Sequence, residues 1–284
     1  MIGARLAAPL LAALLAAPAL AAPPERVVSL GGAVTEIVVA LGAQDRLVAR
    51  DSTSEFPLSV TALPDVGYVR ALSPEGVLAL GPDLILAEAT AGPPDAIEVL
   101  RAAGVEFITL PGAASPEGVL EKIAVVGHAL GREAAAAELA SSFRARMAAA
   151  ERAAAEVAQR KRVLFVLAIQ GGRVMAGGEG SSADAILRLA GAENAAAGFT
   201  GYKQMTDEAV LEAAPDVIVM MDREGEMAVS DADVQAHPAL GATPAARAGA
   251  VIRMDGMLLL GFGPRTPEAV EALHAALYPP AEGG

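Results

Sequence analysis

GYVRALSPEGVLALGPDLILA (residues 67–87) and GYKQMTDEAVLEAAPDVIVM (residues 201–220) are two versions of one pattern. Each opens on Gly-Tyr and reaches a hydroxyl residue, Ser73 or Thr206, with a glutamate two positions on, Glu75 or Glu208. An apolar stretch then leads to Pro-Asp and a strand-like run. Glu75 to Pro82 and Glu208 to Pro215 are equal intervals, and the Tyr-to-Glu interval differs by one residue. Each copy follows a helical stretch with a similar turn at its end, Leu41-Gly42-Ala43 and Ala190-Gly191-Ala192. A unit repeated this way implies two similar lobes with a cleft between them.

Working outward, RVVSL (26–30) reads as a buried strand, followed by a turn and a helix closed by Gly42 at the C′ position. DLILAE and EFITL read as further strands, with helical IEVLRAAG between them. This alternation predicts parallel βαβ units with right-handed crossovers. From Arg132 to Arg160 there is neither Gly nor Pro, and strong helix formers dominate. That stretch predicts a helical strut of roughly 43 Å at ~1.5 Å per residue. KRVLFVLAI then begins a second α/β pattern. The fold class is therefore α/β, with two Rossmann-like lobes at 22–131 and 161–284 joined by one long helix at 132–160.

At 284 residues the chain has room for two domains. Residues 1–21, MIGARLAAPLLAALLAAPALA, have one positive charge, an apolar run and a small-residue end, the pattern of a cleaved secretory signal peptide. The alternative, a membrane anchor, needs ~20 uninterrupted apolar residues, and Pro9 and Pro18 break this run. There is no cysteine, which excludes a disulfide scaffold, thiolate metal sites and a lipidated cysteine after the signal. The expectation is an untethered, soluble, monomeric periplasmic protein. A net charge of −13 argues against nucleic acid or an anionic membrane surface as a partner.

Ser73 and Thr206 are good N-caps, and a glutamate in the first turn favours the positive end of the helix dipole. Capping accounts for one such glutamate. A carboxylate at equivalent places on both lobes equally suits docking onto a partner with matched arginines. Tyr68 and Arg70 lie two apart in a loop; if extended, their side chains point the same way. A phenolate is a hard ligand suited to ferric iron, and tyrosinate is a known axial ligand of haem. A tyrosine with its hydroxyl hydrogen-bonded is the commoner use of such a residue, and both readings stand at this point.

SLGGAVTEIVVALGAQDRLVARDSTSEFP, LPDVGYVRALSPEGVLALGPDLILA, the stretch from VMAGGEGSS to APDVIV, and LLLGFGPRTPEAV together resemble the periplasmic haem-binding proteins of bacterial haem ABC importers. The likeness covers nearly all of the chain after the signal, and the stretch around Tyr68 is its most specific part. The resemblance implies a rigid two-lobed binding protein without enzymatic activity, carrying haem b as its transported ligand. It implies that Tyr68 is the axial iron ligand and that Arg70 contacts that tyrosine or a propionate. It further implies that Glu75 and Glu208 engage the two subunits of an inner-membrane ABC permease. Some members carry a second-lobe histidine ligand near a Gly-Gly; here Ala168-Ile169-Gln170-Gly171-Gly172 has none. Tyr202, the counterpart of Tyr68, and Lys203 are secondary candidates for haem contact, with packing the preferred reading of Tyr202.

His128, His237 and His274 lack metal-pair spacing and read as structural. A cobalamin or ferric-siderophore receptor of the same fold is the nearest rival, although the chain has no tryptophan to line such a cleft. An exported α/β enzyme is the rival of another class. Its signals are weak: the glycines after RVVSL lack G-x-G-x-x-G, and the Gly177–Ser182 loop, a possible anion cradle, lacks a P-loop ending.

Overall fold

The computed structural model describes residues 23–222 and 229–280, so the signal-peptide reading of residues 1–21 lies outside the described residues. The first half is built on β1 (Val27–Leu30), β2 (Leu47–Arg50), β3 (Leu84–Ala87) and β4 (Glu106–Thr109). These pair in the order β2-β1-β3-β4, every pair parallel. β1 and β3 are buried on both faces, which is why each reads as a continuous apolar run. The connecting helices are α1 (Gly32–Ala40), α2 (Pro74–Leu78), α3 (Pro94–Ala102) and α4 (Pro116–Ala129). α1 closes as predicted: Gly42 has φ +69, its N–H donates to Val39 O, and Ala43 N–H donates to Val38 O. That is the Schellman pair of bonds, and it needs a left-handed residue at Gly42.

Helix α5 (Glu133–Ala155) is the strut, but its 23 residues make about 35 Å rather than the expected rod. No Gly or Pro stops it. The chain must turn after Glu156 to enter the second sheet, and the turn is held by Lys161 N–H donating to Tyr278 Oη at 3.0 Å. Phe143 and Met147 on α5 are buried in one continuous apolar core with Val27, Leu84 and Ile123 of the first half and Val163, Phe165 and Val219 of the second. The lobes therefore share a core across the strut.

The second half contains β5 (Arg162–Gln170), β6 (Arg173–Gly177), α6 (Ser182–Leu189), β7 (Glu193–Asn194), β8 (Tyr202–Gln204), α7 (Asp207–Ala213) and β9 (Val217–Asp222). It continues with α8 (Asp231–Ala236), α9 (Pro244–Arg247), β10 (Val251–Asp255), α10 (Gly256–Leu260) and α11 (Thr266–Leu277). The sheet order is β10-β9-β5-β6-β8, with β7 beside β5. β10, β9 and β5 run parallel, whereas β6 and β8 are antiparallel additions, the β5–β6 hairpin turning at Gly171-Gly172. The sequence alternation predicts only the parallel part.

The repeat corresponds to matching pieces of fold. α2–β3 and α7–β9 each deliver a strand beside the first strand of its own sheet. Ser73 Oγ accepts from Gly76 N–H and Thr206 Oγ1 from Ala209 N–H, so both N-caps form. The turns after the helices are also alike, with Gly81 at φ +57 and Ala214 at φ +39. Among the described residues no helix is long and apolar enough to cross a membrane.

Candidate ligand-binding site

The lobes meet where the C-terminal ends of β1 and β2 face α10 and the turn that follows it. Glu36 and Arg265, 229 positions apart, form a largely buried ion pair at 2.6 Å. The Arg265 guanidinium also lies 3.8 Å from the centroid of the Phe56 ring. Lys122 Nζ, buried, donates to Phe262 O at 3.1 Å. Gly32 and Gly263 permit the approach: a Cβ on Gly32 would lie 2.8 Å from Met257 Cε, and one on Gly263 3.2 Å from Ala33 Cα. The LGGAVTE and GFGPRT segments are thus the two sides of one interlobe seam.

Beside the seam is a depression of about 600 Å³, lined from the first lobe by Arg50, Phe56 and Leu58 and from the second by Asp255, Met257 and Arg265. That is an ordinary size for a small-molecule site. Phe56 and Leu58 are large apolar side chains left exposed on its rim. Burial pushes the Glu36 carboxyl above its ordinary range, against the pull of Arg265. Nearby, burial raises Glu88 and lowers Lys122, each partly offset by the other's charge. The sequence reading missed this wall; its only signal was the exposed Phe-Pro-Leu run at 56–58.

Tyr68 follows directly from this wall, since Ser52, which lines the depression, donates its N–H to Gly67 O at 2.9 Å. Val69 is buried while Tyr68 and Arg70 are both exposed; the segment is a turn, closed by Ala71 N–H donating to Tyr68 O at 2.7 Å, and not the extended stretch from which a shared side-chain direction is expected. The chain has three tyrosines. Tyr278 Oη accepts from Lys161 N–H and donates to Gly191 O. Tyr202 Oη bonds Ser182 Oγ at 2.8 Å and accepts from Ala183 N–H at 3.3 Å, with its ring edge-on to Phe165. Among the described residues the Tyr68 hydroxyl makes no hydrogen bond, and the residue is 47% exposed. The Arg70 guanidinium likewise makes none, although its charge offsets a little of the burial that raises the Glu88 carboxyl.

Tyr202 therefore packs against Phe165 with its hydroxyl committed to Ser182 and Ala183. Lys203 is exposed and, as its neighbour on β8, points to the opposite face. Glu75 and Glu208 are exposed in the first turns of α2 and α7. Glu208's own N–H and the Thr206 hydroxyl hold its carboxyl below the ordinary range. In the Gly177–Ser182 loop the donors are used internally. Gly178 N–H goes to Gly201 O, Glu179 N–H to Phe199 O, Gly180 N–H to Asp184 Oδ2, and Ser181 Oγ to Gly178 O. The histidines also have internal roles: His237 Nδ1 accepts from Ala239 and Leu240 N–H, His274 Nδ1 bonds Ala190 O, and His128 faces Glu133.

Two α/β lobes around a shared core, with a depression at their junction, define a two-lobed ligand-binding protein. The chain belongs to the periplasmic binding protein family, whose model matches residues 27–258, a family of binding proteins rather than enzymes. It is similar to the periplasmic haem-binding protein BhuT, solved in complex with two haems, at 44% identity and TM-score 0.85, covering 90% of this chain and 98% of that one. It is also similar to the ABC transporter substrate-binding lipoprotein YvrC of Bacillus subtilis, at 31% identity over 259 residues, 90% of this chain and 81% of that protein. A solved vitamin B12-binding protein, BtuF of Vibrio cholerae, matches at 26% identity and TM-score 0.75, covering 90% and 97%. The likeness to haem-binding proteins seen in the sequence thus extends to the fold.

Proposed function

We propose that this protein is the periplasmic haem receptor of an ABC importer, released by removal of residues 1–21 and working as a monomer. The observation that carries the reading is the state of Tyr68. It is the one tyrosine of three whose hydroxyl has no partner among the described residues, on a hydrogen-bonded loop tied through Gly67 to the wall of the depression. Two tyrosines serve packing, and a free phenol on an ordered loop is available as a ligand.

In this reading the Tyr68 phenolate takes the ferric iron of haem b, and Arg70 holds either that oxygen or a propionate. Phe56, Leu58 and Met257 supply apolar contact to the porphyrin. With Tyr202 committed elsewhere, the second lobe contributes no tyrosine ligand; Lys203 is left to meet a propionate at most. Glu75 and Glu208, one on each lobe, dock onto arginines of an ABC permease dimer, and release follows small lobe movements.

The likeness to a vitamin B12-binding protein over nearly the whole chain supports a second reading, cobalamin capture. Titration of the purified protein with hemin, cyanocobalamin and a ferric siderophore, each in competition with the others, separates the two. Saturable hemin binding that cobalamin does not displace is expected. Tight cobalamin binding with none of hemin would replace the proposal by the second reading.

A further inference from the structure

The backbone on both sides of Tyr68 is held by hydrogen bonds, in contrast to its side chain. Asp65 Oδ1 accepts from Gly67 N–H at 2.8 Å, an Asx-type turn, and Gly67 has φ +92, which a side chain would strain. Asp65 Oδ2 accepts from Arg50 Nη1 at 3.0 Å, and the same Nη1 donates to Asp51 O. Arg50 N–H donates to Pro64 O, Val66 N–H to Arg50 O, and Ser52 N–H to Gly67 O. On the other side Ala71 N–H donates to Tyr68 O, and Gly92 N–H to Val69 O.

The anchor beneath is firm. The Asp51 carboxylate, fully buried, accepts from Gly31 N–H, Thr53 N–H and Ser54 Oγ, which fixes the end of β2 to the start of α1. Arg50 also leaves its Nε buried and unpaired, a feature that works against stability. A guanidinium kept in that position has a use other than stability. A ligand atom must be held to a fraction of an ångström for its bond to form well, and the support around it determines whether it is.

We infer that Asp65 and Arg50 are positioning residues for Tyr68, transmitting the fixed end of β2 through the Gly67 turn to the phenol; this rests on the haem reading above. Asp65 touches neither Tyr68 nor any ligand in this account. It acts by fixing the backbone from which Tyr68 emerges.

The test is the visible spectrum of the hemin-saturated protein, with affinity and melting temperature measured alongside, for the unmutated chain, Asp65→Asn and Asp65→Ala. The Asp65 side chain is 41% exposed, so both variants should fold. Asp65→Ala is expected to weaken hemin binding about tenfold, as for loss of a charge-assisted hydrogen bond. It should also shift or weaken the ferric tyrosinate band even at saturation. Asp65→Asn keeps an acceptor for Gly67 N–H and should fall between. A saturated spectrum identical to that of the unmutated chain would overturn the inference whatever the affinity, because a purely structural role changes stability and not the iron–phenolate bond. If the unmutated protein has no such band, the haem reading itself fails and the inference falls with it.

Discussion

Arg265→Ala removes a guanidinium that pairs with buried Glu36 at 2.6 Å and stacks on Phe56 across the lobe junction. Breaking a buried pair by removing one partner costs about 3–5 kcal/mol, because the remaining charge is left without compensation. The side chains here are 17% and 9% exposed, so water relieves part of this, and about 3 kcal/mol at pH 8 is expected, stacking included. For a chain of this size that lowers the melting temperature by about 6–12 °C. The loss should depend on pH. A carboxyl whose folded pKa lies above its unfolded value gains protons on folding, so its burial penalty is absent at low pH and complete above the folded pKa. Burial already raises Glu36, and Arg265 is the group that pulls it back. Without Arg265 the folded value rises further, and the penalty grows from pH 4.5 upward. Urea melts at pH 4.5 and pH 8 should therefore give a loss near 1 kcal/mol at the lower pH, where mainly the hydrogen bond and stacking are missing. Adding Glu36→Gln should restore part of the loss at pH 8. A cost below about 1 kcal/mol at pH 8, or an equal cost at both pH values, would refute the claim that this pair is a closed interlobe contact.

Tyr202→Phe should lower stability by about 1 kcal/mol through loss of its bonds to Ser182 and Ala183, and leave hemin affinity unchanged; a large loss of affinity would return Tyr202 to the site. Ala214→Gly should raise stability by about 0.5–1 kcal/mol in chemical denaturation, because φ +39 at this repeat position is occupied by Gly81 in the first lobe. Gly31→Ala should destabilise by about 3 kcal/mol or more, since φ is +119 and the added methyl would collide with Glu88. Replacing Glu75 and Glu208 together by Ala should spare hemin binding and reduce uptake in cells; normal uptake would remove the docking role.

What could be read from the sequence was local and what could not was distant. The paired N-caps and the Gly42 terminus depend on residues within a few positions of each other, and spacing shows them directly, whereas the turn at Tyr68–Ala71 replaces the extended segment that the Tyr68–Arg70 spacing suggests. The buried strands β1 and β3 announce themselves as apolar runs. The antiparallel β6 and β8 depend on pairing with β5, which no periodicity encodes, and α5 ends where tertiary contacts turn the chain. Glu36 and Arg265 are 229 positions apart, and nothing in either neighbourhood names the other. The commitment of the Tyr202 hydroxyl to Ser182 was hidden in the same way, although the sequence repeat makes Tyr202 look equivalent to Tyr68.

The central claim is that this chain binds haem through Tyr68. Hemin titration of the protein lacking residues 1–21, beside Tyr68→Phe, tests it by visible absorbance. The account predicts a saturating spectrum with a high-spin ferric tyrosinate band that the substitution abolishes, with affinity reduced and the melting temperature of the ligand-free protein unchanged. Saturation with the same band in Tyr68→Phe would contradict it.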